Sequence, residues 1–435
     1  MKYQEVLEWM YQQLPIYTRI GTLAYKTDLE NIRILCEQLD NPHQKFKSVH
    51  IAGTNGKGSC SNMLANAFQK AGYKTGLYTS PHLFDFRERI QINADKISKE
   101  HVIDFIENHK QLIEYVKPSF FEMTVAMAFD YFAKQNIDIA IVEVGLGGLL
   151  DSTNLITPEI SIITNISKDH TNLLGNSIEE IATQKAGIIK QNTPVLIGET
   201  DSQTEKIFIT KAIQHNSPLF FADQRYELAF QSFNYPTQTF KIVDKSEMEI
   251  INVHTDLLGE YQWKNCITVL NAIEILKTRQ WDLSNIDYET VFQDAKKNLT
   301  FKGRFDIMSS NPTIILDVSH NEAGVKELIS QVLKQLKGKL HIVMGFVEDK
   351  DIESILKIFP KQAQYYFVNA EIPRAKKAKD LMSEAQEQQL VGDAYPLIKE
   401  GIKQAISQAE NDDTILITGS FFIMEAAYQY LEQNL

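Results

Sequence analysis

The 435-residue chain carries 44 basic and 56 acidic side chains, a formal charge of −12, which disfavours non-specific association with nucleic acid. Its length supports two domains with separate cores, because single cores rarely grow beyond roughly 250–300 residues. Three widely spaced cysteines, Cys36, Cys60 and Cys266, exclude a disulfide framework and a CxxC metal site. The start, Met1 to Glu5, lacks a basic region followed by an apolar one, and no run of about 18 apolar residues occurs, so a cytoplasmic chain without a membrane segment is expected.

In chain order, Thr18 to Tyr25 reads as a connecting loop. Leu29, Ile32, Leu35, Cys36 and Leu39 then predict a helix that Asn41-Pro42 closes. Ser48 to Ala52 predicts a short buried strand, and Met63, Leu64, Ala67 and Phe68 a helix just beyond it. Between them lies Gly53-Thr54-Asn55-Gly56-Lys57-Gly58-Ser59. Glycines at this bend let backbone N–H groups converge at a helix N-terminus, whose partial positive charge favours anions. Lys57 adds a full positive charge and Ser59 a hydroxyl able to hold Mg²⁺. The stretch reads as a phosphate cradle, although the strict G-x-x-x-x-G-K-[ST] pattern fails because Gly58 intervenes.

Thr75 to Leu83 predicts a strand running into a Pro-marked turn, and Arg87 to Asn93 an alternating strand. Ser119 to Glu122 opens a helix whose Val125, Ala128, Phe129 and Phe132 face a core; the helix dipole alone explains Glu122. Ile137 to Gly145 reads as a strand buried on both faces. A carboxylate at its end is costly without a cation, and ligands bind at the C-terminal edge of open α/β sheets, so Glu143 is the first candidate metal carboxylate. Ile160 to Asn165 is a further strand, leading to Asp169-His170. Ser177 and Glu180 form a capping-box pattern, and on pattern alone Lys185 is an exposed helix cation. From Leu196 to Ile251 the residues give strands and polar loops without a nameable site. Asn265 reads as an N-cap before a helix carrying Val269, Leu270, Ile273 and Leu276. Lys297 to Gly303 is a polar turn that divides the chain into domains 1–298 and 299–435. Thr313 to Val318 is a buried strand, and the alternation of strand and helix beyond it predicts a second open sheet.

Gly53 to Ser59 resembles the nucleotide loop of the folylpolyglutamate synthase and dihydrofolate synthase family, within the Mur ligase superfamily. Thr79-Ser80-Pro81-His82-Leu83 followed by Glu88-Arg89-Ile90 is similar to a second family signature. Further matches are Gly145-Leu146-Gly147-Gly148 with Leu150-Asp151 and Thr153-Asn154, Ser167-Lys168-Asp169-His170, Lys185-Ala186-Gly187-Ile188, Gly259 with Gln262 and Asn265, Gly303-Arg304, and Asp317 with His320-Asn321. The chain departs from the family at Ala94 (usually Gly), Leu149 (usually Arg), Gln184 (usually Glu), and at Val318, Ser319 and Glu322.

The resemblance implies an α/β fold: an N-terminal P-loop, Mur-ligase-like ATPase domain and a smaller, Rossmann-like C-terminal glutamate-ligase domain. It implies an ATP- and Mg²⁺-dependent ligase, acting as a monomer, that joins L-glutamate to a folate or pteroate through an acyl phosphate. ATP contacts are implied for Gly53, Thr54, Asn55, Gly56, Lys57, Gly58, Ser59, Asn265, Arg304, Asp317 and His320. Metal contacts are implied for Ser59, Ser80, Glu143 and His170, and catalytic roles for Lys57, Lys185 and His170. Substrate contacts fall on Phe121, Glu122, Asp151 and Ser152, with the Thr18 to Tyr25 loop beside the pteridine. Lys185 is expected to carry a carbamate. A cell-wall Mur-type ligase and a non-catalytic nucleotide-binding module are the alternatives, and the choice between dihydropteroate and tetrahydrofolate polyglutamates stays open.

Overall fold

The computed structural model describes residues 2–15, 28–298, 302–348 and 352–435. The loop from Thr18 to Tyr25 and part of the Lys297 to Gly303 turn lie outside the described residues. The chain divides into two compact units, one of Met1–Asp256 with Gln262–Phe301 and one of Leu257–Tyr261 with Lys302–Leu435.

The first unit is built on an eight-stranded sheet: β1 (Lys47–Ala52), β2 (Thr75–Tyr78), β3 (Ile90–Ile92), β4 (Asp95–Lys96), β5 (Ile139–Glu143), β6 (Ile160–Ile163), β7 (Val195–Ile197) and β8 (Leu219–Phe221). Their order is β4-β3-β2-β5-β1-β6-β7-β8, parallel except for β3 and β4. β1, β5 and β6 are almost wholly buried, as strands covered on both faces of a parallel sheet are. The helix Lys57–Lys70 is buried over Gly58 to Phe68. A three-stranded antiparallel meander, β9 (Tyr226–Asn234), β10 (Thr237–Asp244) and β11 (Glu249–Thr255), occupies the stretch that the sequence left without a site.

Local structure corrects the sequence reading at three places. Arg87 to Arg89 belongs to a 3-10 turn, Phe86–Arg89, because Asp85 and Glu88 form a reciprocal capping box that ends in β3. Asn265 lies inside the helix Gln262–Thr278 rather than at its cap. Lys185 is 4% exposed instead of standing on the surface. Asn93 and Ala94 take φ values of 50° and 70° between β3 and β4, a left-handed pair in which glycine would replace Ala94 at lower cost.

The second unit carries six strands: β12 (Asp306–Ser310), β13 (Thr313–Asp317), β14 (Leu340–Gly345), β15 (Gln364–Val368), β16 (Gly392–Tyr395) and β17 (Thr414–Gly419). They are ordered β12-β13-β17-β14-β15-β16, with only β12 antiparallel. This is the second open sheet expected from the alternation of strand and helix. Among the described residues no helix is long and apolar enough to cross a membrane.

Candidate active site

Four adjacent parallel strands, β2, β5, β1 and β6, deliver their C-terminal ends to one edge of the first sheet. β1 runs into the glycine loop, β5 ends on Glu143, β2 leads to Ser80 and β6 to Thr164-Asn165. Loops at such an edge are held by a rigid sheet and are free to carry chemistry.

The glycine loop is clasped from the β6 side. Thr54 N–H donates to Asn165 O at 2.9 Å, Asn55 N–H to Asn165 Oδ1 at 3.0 Å, and Thr164 Oγ1 to Asn55 O at 2.5 Å. Gly56 is the N-cap of the following helix with φ 84°. Two of the glycines are demanded by close approach. A Cβ on Gly53, at φ 146°, would stand 1.9 Å from Thr164 Oγ1, and one on Gly56 would stand 2.3 Å from Asn265 Oδ1. Gly53→Ala is therefore expected to lower stability by about 2 kcal/mol or more, read as a drop in the denaturation midpoint; an unchanged midpoint would show that the loop reshapes without cost.

Two ammonium groups meet at the start of the loop. Lys57 Nζ donates to Gly53 O at 3.1 Å and to Thr54 O at 3.0 Å, and Lys185 Nζ donates to the same Gly53 oxygen at 2.8 Å. Burial, and then the neighbouring Lys57 charge, lower the Lys185 pKa to about 7 against the pull of Asp169 and Asp151. A lysine so placed is partly neutral near physiological pH and hence nucleophilic.

Ser59, in the first turn of the loop helix, accepts a hydrogen bond from Gln262 Nε2 at 3.3 Å. Gln262 Oε1 in turn accepts from Asn265 Nδ2 at 2.8 Å. The sequence match paired Gln262 with Asn265 but gave a role only to Asn265; the structure makes Gln262 its buried partner. Glu143 is 5% exposed, and its Oε2 accepts the Ser80 N–H at 3.2 Å, so those two expected metal contacts stand side by side. His170 takes φ 49° at the start of the short helix Thr171–Leu174, with its Nε2 3.9 Å from Asp169 Oδ2. Among the described residues no three His, Cys, Asp or Glu side chains form a metal cage. A buried carboxylate at the strand end is instead compatible with Mg²⁺, which takes few protein oxygens and completes its shell with phosphates and water.

The expected substrate contacts have local roles as well. Phe121 packs against Gly145, where a Cβ would approach the ring to 2.4 Å, and lies 6.2 Å from the Tyr78 ring. Glu122 closes a capping box with Ser119, accepting its N–H at 2.7 Å. Asp151 is buried, as is Ser152 beside it; the Asp151 carboxylate accepts Leu146 N–H at 2.8 Å and Thr153 N–H at 3.0 Å. Leu149, in the usual Arg position, is 41% exposed. Its backbone is what fixes Gly187, since a Cβ there would stand 2.4 Å from Leu149 Cα. Asn154 Nδ2 ties this loop down through Leu149 O at 3.0 Å and Gly187 O at 3.1 Å.

Arg89 was passed over in the sequence as part of a signature. It is 8% exposed, donates from Nε to His82 Nδ1 at 2.7 Å and lies 5.4 Å from the Phe120 ring centre.

In the second unit, Asp317 is committed to its own turn. One oxygen accepts from Ser319 N–H and Oγ at 2.8 and 2.6 Å, the other from Phe305 N–H at 2.8 Å and Tyr261 OH at 3.4 Å. These bonds hold Phe305 at φ 51° next to Arg304, so Asp317 shapes the arginine's turn whatever else it touches. Arg304 Nη1 donates to Gly303 O at 3.1 Å, and His320 Nδ1 lies 2.8 Å from Val318 O.

The Mur ligase middle-domain model matches residues 51–273 and the Mur ligase glutamate ligase-domain model residues 303–421. The dihydrofolate synthase/folylpolyglutamate synthase of Bacillus subtilis is 32% identical over 97% of this chain and 97% of its own length. This chain belongs to the folylpolyglutamate synthase and dihydrofolate synthase family. Solved family members superpose along its whole length. E. coli FolC, in complex with DHPP and ADP, gives a TM-score of 0.84 at 25% identity, covering 100% of this chain and 98% of that one. The bifunctional folylpolyglutamate synthase/dihydrofolate synthase of Yersinia pestis, complexed with AMPPNP and a Mn ion, gives 0.81 at 25% identity, covering 99% and 98%. In this chain the glycine loop, Ser80, Glu143 and Lys185 belong to the parallel-sheet unit, and Arg304, Asp317 and His320 to the smaller one.

Proposed function

We propose that this chain is an ATP-dependent acid–amino-acid ligase that joins L-glutamate to a folate-type carboxylate. The observation that carries the reading is the convergence of Lys57 and Lys185 on the Gly53 carbonyl at the mouth of a helix-capping glycine loop. A carboxylate is a poor acyl donor. Transfer of the γ-phosphoryl group of ATP to the carboxylate oxygen releases ADP and makes an acyl phosphate. The glutamate amine then attacks the acyl carbon, expelling phosphate and losing one proton to solvent. Little covalent work falls to the protein, so positioning and charge neutralisation dominate.

In this reading Lys57 and those N–H groups of the Gly53 to Ser59 loop that are not given to Asn165 hold the β- and γ-phosphates, and Asn265, kept in place by Gln262, braces the loop and contacts the nucleotide. Ser59, Ser80, Glu143 and His170 hold Mg²⁺, which when bound neutralises phosphate charge. Arg304, Asp317 and His320 contribute nucleotide contacts from the C-terminal domain, and Phe121, Glu122, Asp151 and Ser152 contact the pteridine-bearing acid. The protein works as a monomer in the cytoplasm, where its three separate, buried free cysteines stay reduced.

Turnover with ATP and glutamate is expected with dihydropteroate, tetrahydrofolate or both, measured as ADP release matched to amide product. The relative rates assign the first or later glutamate additions. Turnover with a muramoyl peptide alone would instead make the chain a cell-wall ligase, and ATP binding without any product would make it a nucleotide-binding module.

A further inference from the structure

The chemistry above leaves His50 unused. It lies in β1, fully buried, three residues before Gly53. Its Nε2 is 2.8 Å from Thr153 Oγ1, and that hydroxyl also bonds Asp151 Oδ1. Each oxygen of Asp151 already accepts a backbone N–H, from Thr153 and from Leu146; these bonds favour the carboxylate while burial raises its pKa, and Oδ1 accepts from the Thr153 hydroxyl. The Thr153 hydroxyl therefore points its one proton at Asp151 and must accept from His50. That places the imidazole proton on Nε2 and leaves Nδ1 a bare lone pair. Nδ1 is indeed buried without a hydrogen-bond partner, and a lone pair there costs less than an orphaned N–H. Burial, then the Lys190 charge, keep the ring neutral with a pKa of about 3.

The direction of the chain of bonds is thus fixed, from His50 through Thr153 to Asp151. Its far end governs a loop. Asp151 gathers Leu146 and Thr153, and Asn154, next after Thr153, clamps Leu149 and Gly187. One buried ring on the strand that feeds the phosphate loop therefore holds the loop carrying Asp151 and Ser152.

We propose that His50 is a positioning residue for the pteridine-bearing acid: through the Thr153 hydroxyl it orients the Asp151 carboxylate that meets this substrate. The inference rests on the proposed substrate role of Asp151. His50→Leu is expected to raise KM for dihydropteroate about tenfold, the value of one buried hydrogen bond, and to leave KM for ATP within about twofold. His50→Gln, which presents an amide N–H near the Nε2 position, should recover most of the loss. Thr153→Val should match His50→Leu, and the double variant should be no worse than either single one, since both cut the same chain. Nitrogen NMR should find Nε2 protonated and Nδ1 bare from about pH 5 to 8.

A protonated Nδ1, or equal rises in both KM values, would overturn the proposal. If His50→Leu does not fold, Thr153→Val and the NMR tautomer still decide it. Asp151→Asn separates the two levels: an unchanged dihydropteroate KM would remove the substrate role of Asp151 and the proposal with it. A raised KM there, with none in Thr153→Val or His50→Leu, would overturn only the role of His50.

Discussion

Lys57→Ala is expected to cut turnover at saturating ATP by roughly a thousandfold or more, the scale on which removal of a preorganised charge from a phosphoryl-transfer site acts. The fold should survive. Lys57 is not part of the apolar core, and its ammonium donates to the carbonyls of Gly53 and Thr54 in its own loop. The thermal midpoint and the circular dichroism spectrum should therefore stay near those of the unaltered chain while product formation disappears. Retained turnover in a folded Lys57→Ala protein would take the loop out of the chemistry.

The second large effect concerns Lys185. The proposed set of one carboxylate, one imidazole and two hydroxyls would leave Mg²⁺ short of anionic oxygen, and Lys185 stands beside the loop in a partly neutral form. Attack of the neutral amine on the carbon of CO₂, with one N–H proton passing to solvent base, would give a carbamate. The remaining N–H could still donate to Gly53 O, and an anionic oxygen donor for Mg²⁺ would stand where a repelling ammonium was. Lys185→Ala should lose about a thousandfold in turnover, and acetate should restore part of it where an alkylamine does not. Rescue by the amine alone, or electron density ending at Nζ in a crystal with metal bound, would show that Lys185 acts as an ammonium on a phosphate oxygen.

Much of this was legible because the informative residues sit where strands end. β1, β5 and β6 announced themselves as short apolar runs, and the glycines, Glu143 and Asn165 follow such runs directly. Periodicity could not give the partners that arrive from afar. The depressed pKa of Lys185 depends on burial and on Lys57, far upstream in the chain, so an exposed helix cation was the natural reading of the pattern. His50 looked like one residue of an apolar strand, because the hydroxyl it serves lies 103 positions away. Arg87 to Arg89 misled for the opposite reason: a capping box between Asp85 and Glu88 overrode strand-like alternation, a local contest that the Asp-x-x-Glu spacing had signalled.

The five residues Leu257–Tyr261 bear on how this protein can be cut. They belong to the C-terminal unit although they precede the Gln262–Thr278 helix of the other. Gln331, 1% exposed, holds them with both ends of its amide, donating to Leu258 O at 2.9 Å and accepting from Glu260 N–H at 2.6 Å. Lys334 pairs with Glu260 at 2.6 Å. The backbone thus passes from one unit to the other three times, and no single scission yields two whole halves. A fragment beginning at Lys302 would keep Gln331 without either partner, stranding a buried amide at about 1–3 kcal/mol. Separately expressed halves should complement each other poorly unless the C-terminal piece regains that short segment.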